Sequence, residues 1–374
     1  MKILIVGAFP GSLILFRKPL IEALVAKNVR VFAAANGHDP ATEAALRARG
    51  VSYHPIRIAR TGLNPIADAK TLRDLIRVMR FVKPDAVLSY TIKPVIYGSL
   101  AARWCGIRNV FSLIEGLGRP FMPWESFSHA ASSLIARGLY RLVLPHSTRI
   151  FLLNPDDMRQ LIREKYFPPE KAVLLNGIGI DLKYYSQEQL PEPSRIRFLM
   201  VARLLRDKGV REFVAAAKVV RARHQHVEFV LAGDRDDNPS SIEQAELDAW
   251  RREGAVNYLG QVDDVRPLYR DCHVFVLPTF YREGVPRTLL EALATGRALI
   301  TTDSPGCRET VKHGYNGSLV QVKDVNALAG AMERFISDPL LIVTMGKRSR
   351  ELAEEKFDVH AVNAVMLRAM GVGL

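Results

Sequence analysis

Two carboxylates, Glu283 and Glu291, are separated by seven residues in the run LPTFYREGVPRTLLEALATGRALITTDSPGCRET, with Gly284, Val285 and Pro286 following the first of them. Ionised carboxylates accept hydrogen bonds from hydroxyls, and vicinal hydroxyls are what a sugar or a ribose presents. Upstream, Arg203 and Lys208 stand five residues apart in VARLLRDKGV. A guanidinium and an ammonium at that spacing, near a strand end, can clamp a pyrophosphate from two sides. Two solvated charges in a turn are the competing reading of that pair, whereas hydroxyl-accepting carboxylates flanking a phosphate site suggest a sugar nucleotide.

These groups need elements that aim them at one place. Val274 to Leu277 is short, apolar and rich in β-branched residues, as a buried parallel strand would be. Pro286 suits the first position of a helix. A helix starting there leaves the amides of Arg287, Thr288 and Leu289 without intrahelical partners, at the positive end of the dipole, which makes an anion site. Glu283 on the loop and Glu291 one turn inside then face the same strand-end crevice, roughly 10 Å apart by helix rise plus loop reach. The Arg287 side chain itself is read as solvated. Arg203 and Lys208 likewise follow a strand and precede Gly209 and a helix whose inner face carries Phe213 and Val214.

Strand-like runs alternate with helical periodicity along the whole chain. Ile3 to Val6, Val29 to Ala34, Ala86 to Ser89, Val110 to Ile114 and Ile150 to Leu153 come first, interleaved with helical patterns. A stretch of Gly, Pro and charge from Asn176 to Arg197 reads as a linker. The alternation then restarts at Arg197 to Val201, Glu228 to Ala232, Val256 to Leu259, Val274 to Leu277, Ala298 to Thr302 and Ser318 to Val320. This is an α/β pattern occurring twice, a basic domain over 1–180 and a donor-binding domain over 181–356, with ligands expected at the carboxyl ends of the strands. In the first strand-to-helix turn, Gly7 and Gly11 fail the dinucleotide spacing GxGxxG, which lowers a nicotinamide or flavin reading.

Of 374 residues, 48% are hydrophobic, ample for buried cores. Three cysteines with no CxxC spacing argue against a disulfide framework and a zinc site and fit a reducing cytoplasm. The apolar start MKILIVGAFPG is short and broken by Pro10 and Gly11, so it reads as a strand rather than a signal peptide. The net charge of +13 is all in the first half: 1–180 hold 25 Lys/Arg against 12 Asp/Glu, and 181–374 hold 27 against 27. No helix-turn-helix, zinc finger or stacking platform supports nucleic acid as the partner. A membrane surface is favoured, through Leu13 to Phe16 with Arg17 and Lys18, and through a helix with Arg73, Arg77 and Arg80 behind Leu72, Leu75, Ile76 and Met79. The competing reading of that helix is a core-facing stripe with a solvated basic back. RPFMPW at 119–124 is a further interfacial candidate.

The segment EGVPRTLLEALATGRALITTDSPGCRE resembles the donor-site signature of retaining glycosyltransferases of family 4. The likeness continues through VARLLRDKG at 201–209, LLNGIGIDL at 174–182, VLAGD at 230–234, NYLG at 257–260 and GYNGSLV at 314–320. FRKPL, GLNP at 62–65, EGLG, GVREF and GDRDDNPS are similar to the subgroup that extends undecaprenyl-diphosphate-linked sugars. The resemblance implies a GT-B fold, two Rossmann-like domains facing across a cleft, with a C-terminal helix within 357–374 packing back on the first. It implies retaining transfer of a hexose or N-acetylhexosamine, N-acetylgalactosamine as the best fit, from a UDP-sugar to a polyprenyl-diphosphate-linked sugar in surface glycan or glycoprotein oligosaccharide assembly. The place implied is the cytoplasmic face of the inner membrane, peripherally, with no metal or other cofactor required.

By the same carry-over, Arg203 and Lys208 neutralise the leaving diphosphate. Glu291 takes the ribose hydroxyls and Glu283 the hydroxyls of the transferred sugar, with amides from Gly284 and Val285. Thr288 and Leu289 supply the helix amides, Tyr258 and Gly260 flank the base, and Gly11 permits close approach in the first domain. Glu115, in EGLG where many relatives place a histidine, either accepts the acceptor's proton or positions the acceptor. Phe16, Arg17, Lys18, Arg73, Arg77 and Arg80 are the acceptor or membrane residues. Asp234, Asp236 and Asp237 contain an Asp-x-Asp but read as a capping and turn cluster rather than a metal site. Two rivals are a nucleotide-sugar epimerase of the same fold and a non-catalytic polysaccharide-assembly subunit.

Overall fold

The computed structural model describes every residue except Arg60, Thr61, Leu63, Glu125, Pro193, Ser194, Asp237, Pro239 and Leu374. The similarity at GLNP and GDRDDNPS therefore lies partly outside the described residues. The chain divides into two compact units, Met1–Ile178 with Val359–Leu374, and Gly179–Asp358.

The first unit runs β1 (Lys2–Val6), α1 (Gly11–Leu15), α2 (Lys18–Ala26), β2 (Arg30–Asn36), α3 (Pro40–Arg47), β3 (Ser52–Ile56), α4 (Pro65–Val82), β4 (Ala86–Tyr90), α5 (Ile92–Trp104), β5 (Asn109–Ile114), α6 (Phe127–Val143), β6 (Arg149–Leu152), α7 (Pro155–Arg163) and β7 (Ala172–Leu174). All seven strands pair in parallel in the order β3-β2-β1-β4-β5-β6-β7. The order reverses between β1 and β4, and at such a switch point the loops leave in opposite directions and open a crevice at the carboxyl edge. β1 and β4 are buried along nearly their whole length, which is why they read as continuous apolar runs. β3 and β7, the strands that spacing alone does not reveal, are the two edges. β3 carries Pro55 and a half-exposed face, and β7 has three residues.

α4 settles one of the sequence alternatives. Leu75 and Met79 are buried and Leu72 and Ile76 pack beside them in the core, while Arg73, Arg77 and Arg80 are exposed. Its central apolar stripe is therefore core and its arginine back faces solvent, with Ile66 and Phe81 exposed towards the two ends. Asn64 caps the helix by accepting from the Ile66 and Ala67 amides, and a buried ion pair, Lys93 Nζ to Asp68 Oδ1 at 2.8 Å, ties α5 to α4.

The second unit runs β8 (Ile196–Val201), α8 (Val210–Arg223), β9 (Val227–Ala232), α9 (Gln244–Glu253), β10 (Asn257–Gly260), α10 (Arg266–Arg270), β11 (Val274–Leu277), α11 (Arg287–Ala294), β12 (Ala298–Thr302), β13 (Gly317–Val320), α12 (Val325–Ser337) and α13 (Leu340–Lys356). Its parallel sheet has the order β10-β9-β8-β11-β12-β13, so its switch point lies between β8 and β11. The chain then returns to the first unit as α14 (Val359–Ala369), which packs on α2. The stretch read as a linker is not free chain throughout. Ile180 and Tyr185 are buried in the second unit, and Ile180 bridges to Asp358.

Candidate active site

The second switch point gathers the sequence-derived residues. After β8 the chain makes a short 3-10 turn, Arg206–Lys208, and Gly209 then enters α8 at φ +77. A Cβ on Gly209 would lie 2.1 Å from the Pro278 carbonyl oxygen, so only glycine lets this turn press against the end of β11. The main-chain carbonyl of Asp207 accepts three bonds from the loop after β11: Phe280 N at 2.9 Å, Tyr281 N at 3.0 Å and Thr279 Oγ1 at 3.0 Å. Its buried carboxylate accepts from Ser240 Oγ at 2.8 Å, tying in the loop after β9. Nothing in sequence spacing marks Asp207, because its work is done mainly by a backbone atom.

This stitching sets Lys208 against Glu283. Lys208 Nζ lies 2.6 Å from Glu283 Oε1, both side chains largely buried, with Thr279 Oγ1 3.2 Å from the same oxygen. Arg203, more exposed, pairs instead with Asp236 of the Asp-x-Asp, NH1 to Oδ2 at 2.6 Å. That aspartate therefore orients a clamp arginine. Among the described residues no cluster of three or more His, Cys, Asp or Glu could hold a metal ion.

The loop carrying Glu283 and Gly284 is braced from behind by Gly306. At φ +82, a Cβ there would stand 1.9 Å from the Gly284 carbonyl oxygen and 2.9 Å from that of Glu283. Beside it the Cys307 thiol is pushed up to about 11, by burial and then by the Glu283 charge.

Three expectations about the following helix need correction. Pro286 is the cap at ψ 122, not the first helical residue, and α11 begins at Arg287. The Leu289 amide is already bonded to the Pro286 carbonyl at 3.1 Å, because the first turn closes tightly. Arg287 is not solvated either, since its Nε donates to Glu291 Oε1 at 2.9 Å.

Glu291 is buried and heavily engaged. Oε1 accepts from Tyr185 at 2.8 Å as well as from Arg287, and Oε2 accepts from Tyr269 at 2.9 Å. Burial, and then the Glu291 charge, push both phenols above their ordinary range, so they stay protonated and donate. A carboxylate offers about four lone-pair positions, and these bonds use three. A vicinal diol would need two, so binding one would require a donor to give way, and Arg287 is the most exposed of the three. A phenol holding a charged acceptor contributes about 1.5–3 kcal/mol. Tyr269→Phe is therefore expected to raise the donor KM about tenfold with a smaller change in kcat; steady-state kinetics showing a lower Tm but an unchanged KM would assign the network to stability alone.

Tyr258 and Gly260 sit at the carboxyl end of β10 on the same edge. The Gly260 carbonyl accepts from Gly233 N at 2.8 Å, and Arg251 lies 4.6 Å over the Tyr258 ring. Val285 and Leu289 are buried, and the Thr288 carbonyl accepts from the Tyr269 hydroxyl at 3.2 Å.

In the first unit Gly11 opens α1 after β1, and Arg17 from the start of α2 meets both Glu115, after β5, and Tyr90, at the end of β4. Gly7 leaves β1 where a Cβ would be 2.3 Å from the Tyr90 hydroxyl, and that hydroxyl meets Ser12 Oγ at 2.6 Å. Arg17 lies 4.5 Å over the Tyr90 ring and is ion-paired with Glu115. At 3% exposure Arg17 is no membrane contact, because it is folded inward over Tyr90; Lys18 is exposed and Phe16 half-buried. Glu115 is thereby held by this guanidinium.

Comparison with known proteins fixes the class. Residues 195–338 match the glycosyl transferases group 1 family, and 18–177 match the glycosyl transferase 4-like domain. CapM of Staphylococcus aureus, a capsular polysaccharide biosynthesis glycosyltransferase, is 31% identical over 302 residues, 78% of this chain and 77% of CapM. The chain belongs to the group 1 glycosyl transferases.

This group 1 glycosyl transferase is also 29% identical, over 91% of both chains, to the N,N'-diacetylbacillosaminyl-diphospho-undecaprenol alpha-1,3-N-acetylgalactosaminyltransferase of Campylobacter jejuni. It is 27% identical, over 79% of its own length and 77% of the relative's, to an Escherichia coli UDP-Gal:alpha-D-GlcNAc-diphosphoundecaprenol alpha-1,3-galactosyltransferase. Its fold is GT-B. Sucrose-phosphate synthase from Thermosynechococcus elongatus superposes with a TM-score of 0.81 at 20% identity over 98% of both chains. Anabaena HepE in complex with UDP gives 0.77 at 18% identity over 99% of this chain and 100% of HepE.

Proposed function

We propose that this glycosyltransferase moves a hexose or N-acetylhexosamine, N-acetylgalactosamine in the favoured reading, from a UDP-sugar to an undecaprenyl-diphosphate-linked sugar with retention of configuration. The observation that carries the donor half is the Lys208–Glu283 pair at the β8/β11 switch point. It sets a diphosphate-binding cation against a hydroxyl-accepting carboxylate, the two chemistries a nucleotide sugar presents together. The acceptor half rests on the two relatives above, both named for diphospho-undecaprenol substrates, one of them with a UDP-sugar. In this reading the enzyme works peripherally at the cytoplasmic face of the inner membrane, where such an acceptor would be met.

In this reading Lys208 and Arg203 take the charge that grows on the leaving diphosphate, where a preorganised cation acts most strongly. Glu283 holds the transferred sugar, Glu291 the ribose after Arg287 swings aside, and Tyr258 and Gly260 flank the base. Glu115 meets the acceptor hydroxyl in the first unit. With the diphosphate neutralised by side chains no metal is needed, so excess EDTA is expected to leave initial rates within about twofold. A tenfold loss restored by a divalent cation would refute that.

The test is a panel of radiolabelled nucleotide sugars with a lipid-diphosphate sugar. Label from the UDP donor should move into an organic-extractable product, and NMR should find the anomeric configuration retained. Conversion of the nucleotide sugar into its epimer with no extractable label would overturn the proposal, as would an absence of any turnover across the panel.

A further inference from the structure

The helix α6 is built inside out. Its buried stripe, His129, Ser133, Ala136, Tyr140 and Val143, is largely polar or small, whereas its outward stripe carries Phe127, Leu134, Ile135 and Leu142. Phe127 is 91% exposed, and the other three, with the neighbouring Trp124, are each more than half exposed. Packing within the unit does not account for this, since folding alone favours the opposite assignment of faces. The seventeen residues extend about 25 Å, so the apolar ridge is long.

We infer that the outer face of α6, continued by Trp124, is seated in the headgroup and upper acyl region of an anionic lipid bilayer. Charge complementarity selects this occupant. No Asp or Glu occurs from Phe127 through Asn154, while Arg137, Arg141 and Arg149 do. The unit as a whole, 1–178 with 359–374, holds 26 Lys/Arg against 12 Asp/Glu. Arg137 and Arg141 lie flat on Phe121 and Tyr166, at 4.7 and 4.5 Å from the ring centres, so their guanidinium groups flank the ridge without covering it. Apolar residues on one face with cations at the borders make an interfacial helix. Among the described residues no helix is long and apolar enough to span a membrane. α6 thereby replaces the core-facing stripe of α4 as the element that enters lipid. The inference rests on the proposed lipid-linked acceptor, but its test needs neither donor nor acceptor, so the two readings fail separately.

The full chain is mixed with vesicles of phosphatidylethanolamine and phosphatidylglycerol and floated. The wild type should partition with the vesicles, and the Phe127→Ser/Leu134→Ser/Ile135→Ser variant should lose at least tenfold in partitioning. Leu340→Ser/Val343→Ser, which removes exposed apolar side chains of α13, should stay within threefold. Quenching by brominated phosphatidylglycerol covers the case of a misfolded triple variant: Trp124→Phe should abolish the quenching, and Trp104→Phe and Trp250→Phe should retain it. Unchanged partitioning of the α6 variant, quenching that survives Trp124→Phe, or a wild-type dimer that the α6 variant converts to monomer without lipid would overturn the inference.

Discussion

Lys208→Ala is expected to lower kcat by about 10²–10³ while the donor KM moves less than tenfold, the pattern of an interaction that strengthens as the diphosphate departs. The reason is local. Gly209 and the Asp207 carbonyl fix the turn, and the ammonium is held 2.6 Å from Glu283. Removing it also takes a charged partner from a mostly buried carboxylate, costing about 1–3 kcal/mol of stability. A thermal melt separates the two effects, since a folded Lys208→Ala protein with near-normal turnover refutes the role. Pairing it with Glu283→Gln in a double-mutant cycle measures how much of the loss belongs to the contact itself.

Gly306→Ala should be nearly as damaging although it touches no substrate. The new methyl would lie 1.9 Å from the Gly284 oxygen, and the residue must also hold φ +82. Overpacking and left-handed strain together cost about 2–4 kcal/mol. Relief can come only by pushing back the loop that carries Glu283, and displacements near 1 Å at a reacting centre cost on the order of a hundredfold in rate. Gly314 supplies the contrast. It has a similar φ, +75, but open space around its Cβ position, so Gly314→Ala should cost about 1 kcal/mol and spare turnover. Equal effects of the two substitutions on kcat and Tm would show that close backbone approach at Gly306 is not what matters.

The central strands were legible because strands buried on both faces are continuous apolar runs; all six of the second sheet show in the sequence, β8 to β13. The misses were edge strands, where half-exposure and Pro55 erase the pattern. The position of a polar side chain was legible where a local strand-to-helix pattern marks it, as at Glu283 and Lys208. It was illegible where distant segments meet. Tyr185 lies 106 positions before Glu291, in a stretch rich in Gly and Pro, and no local periodicity announces that it will be buried there. Arg17 next to Lys18 looks like one basic patch, yet the start of α2 sends one inward to Tyr90 and the other to solvent. The helix amides were over-counted because a cap at Pro286 rather than a first helical proline lets the Leu289 amide close back on it.

The acceptor of three loop bonds at Asp207 is a peptide oxygen, and every residue type has one. An alanine scan will therefore score this position by its Ser240 bond alone and overlook the seam it holds. The same arrangement lets side chains at 280 and 281 diverge, since their amides secure the loop whatever they carry. The surface beside Lys208 can thus change in shape and polarity while the wall behind it stays in register.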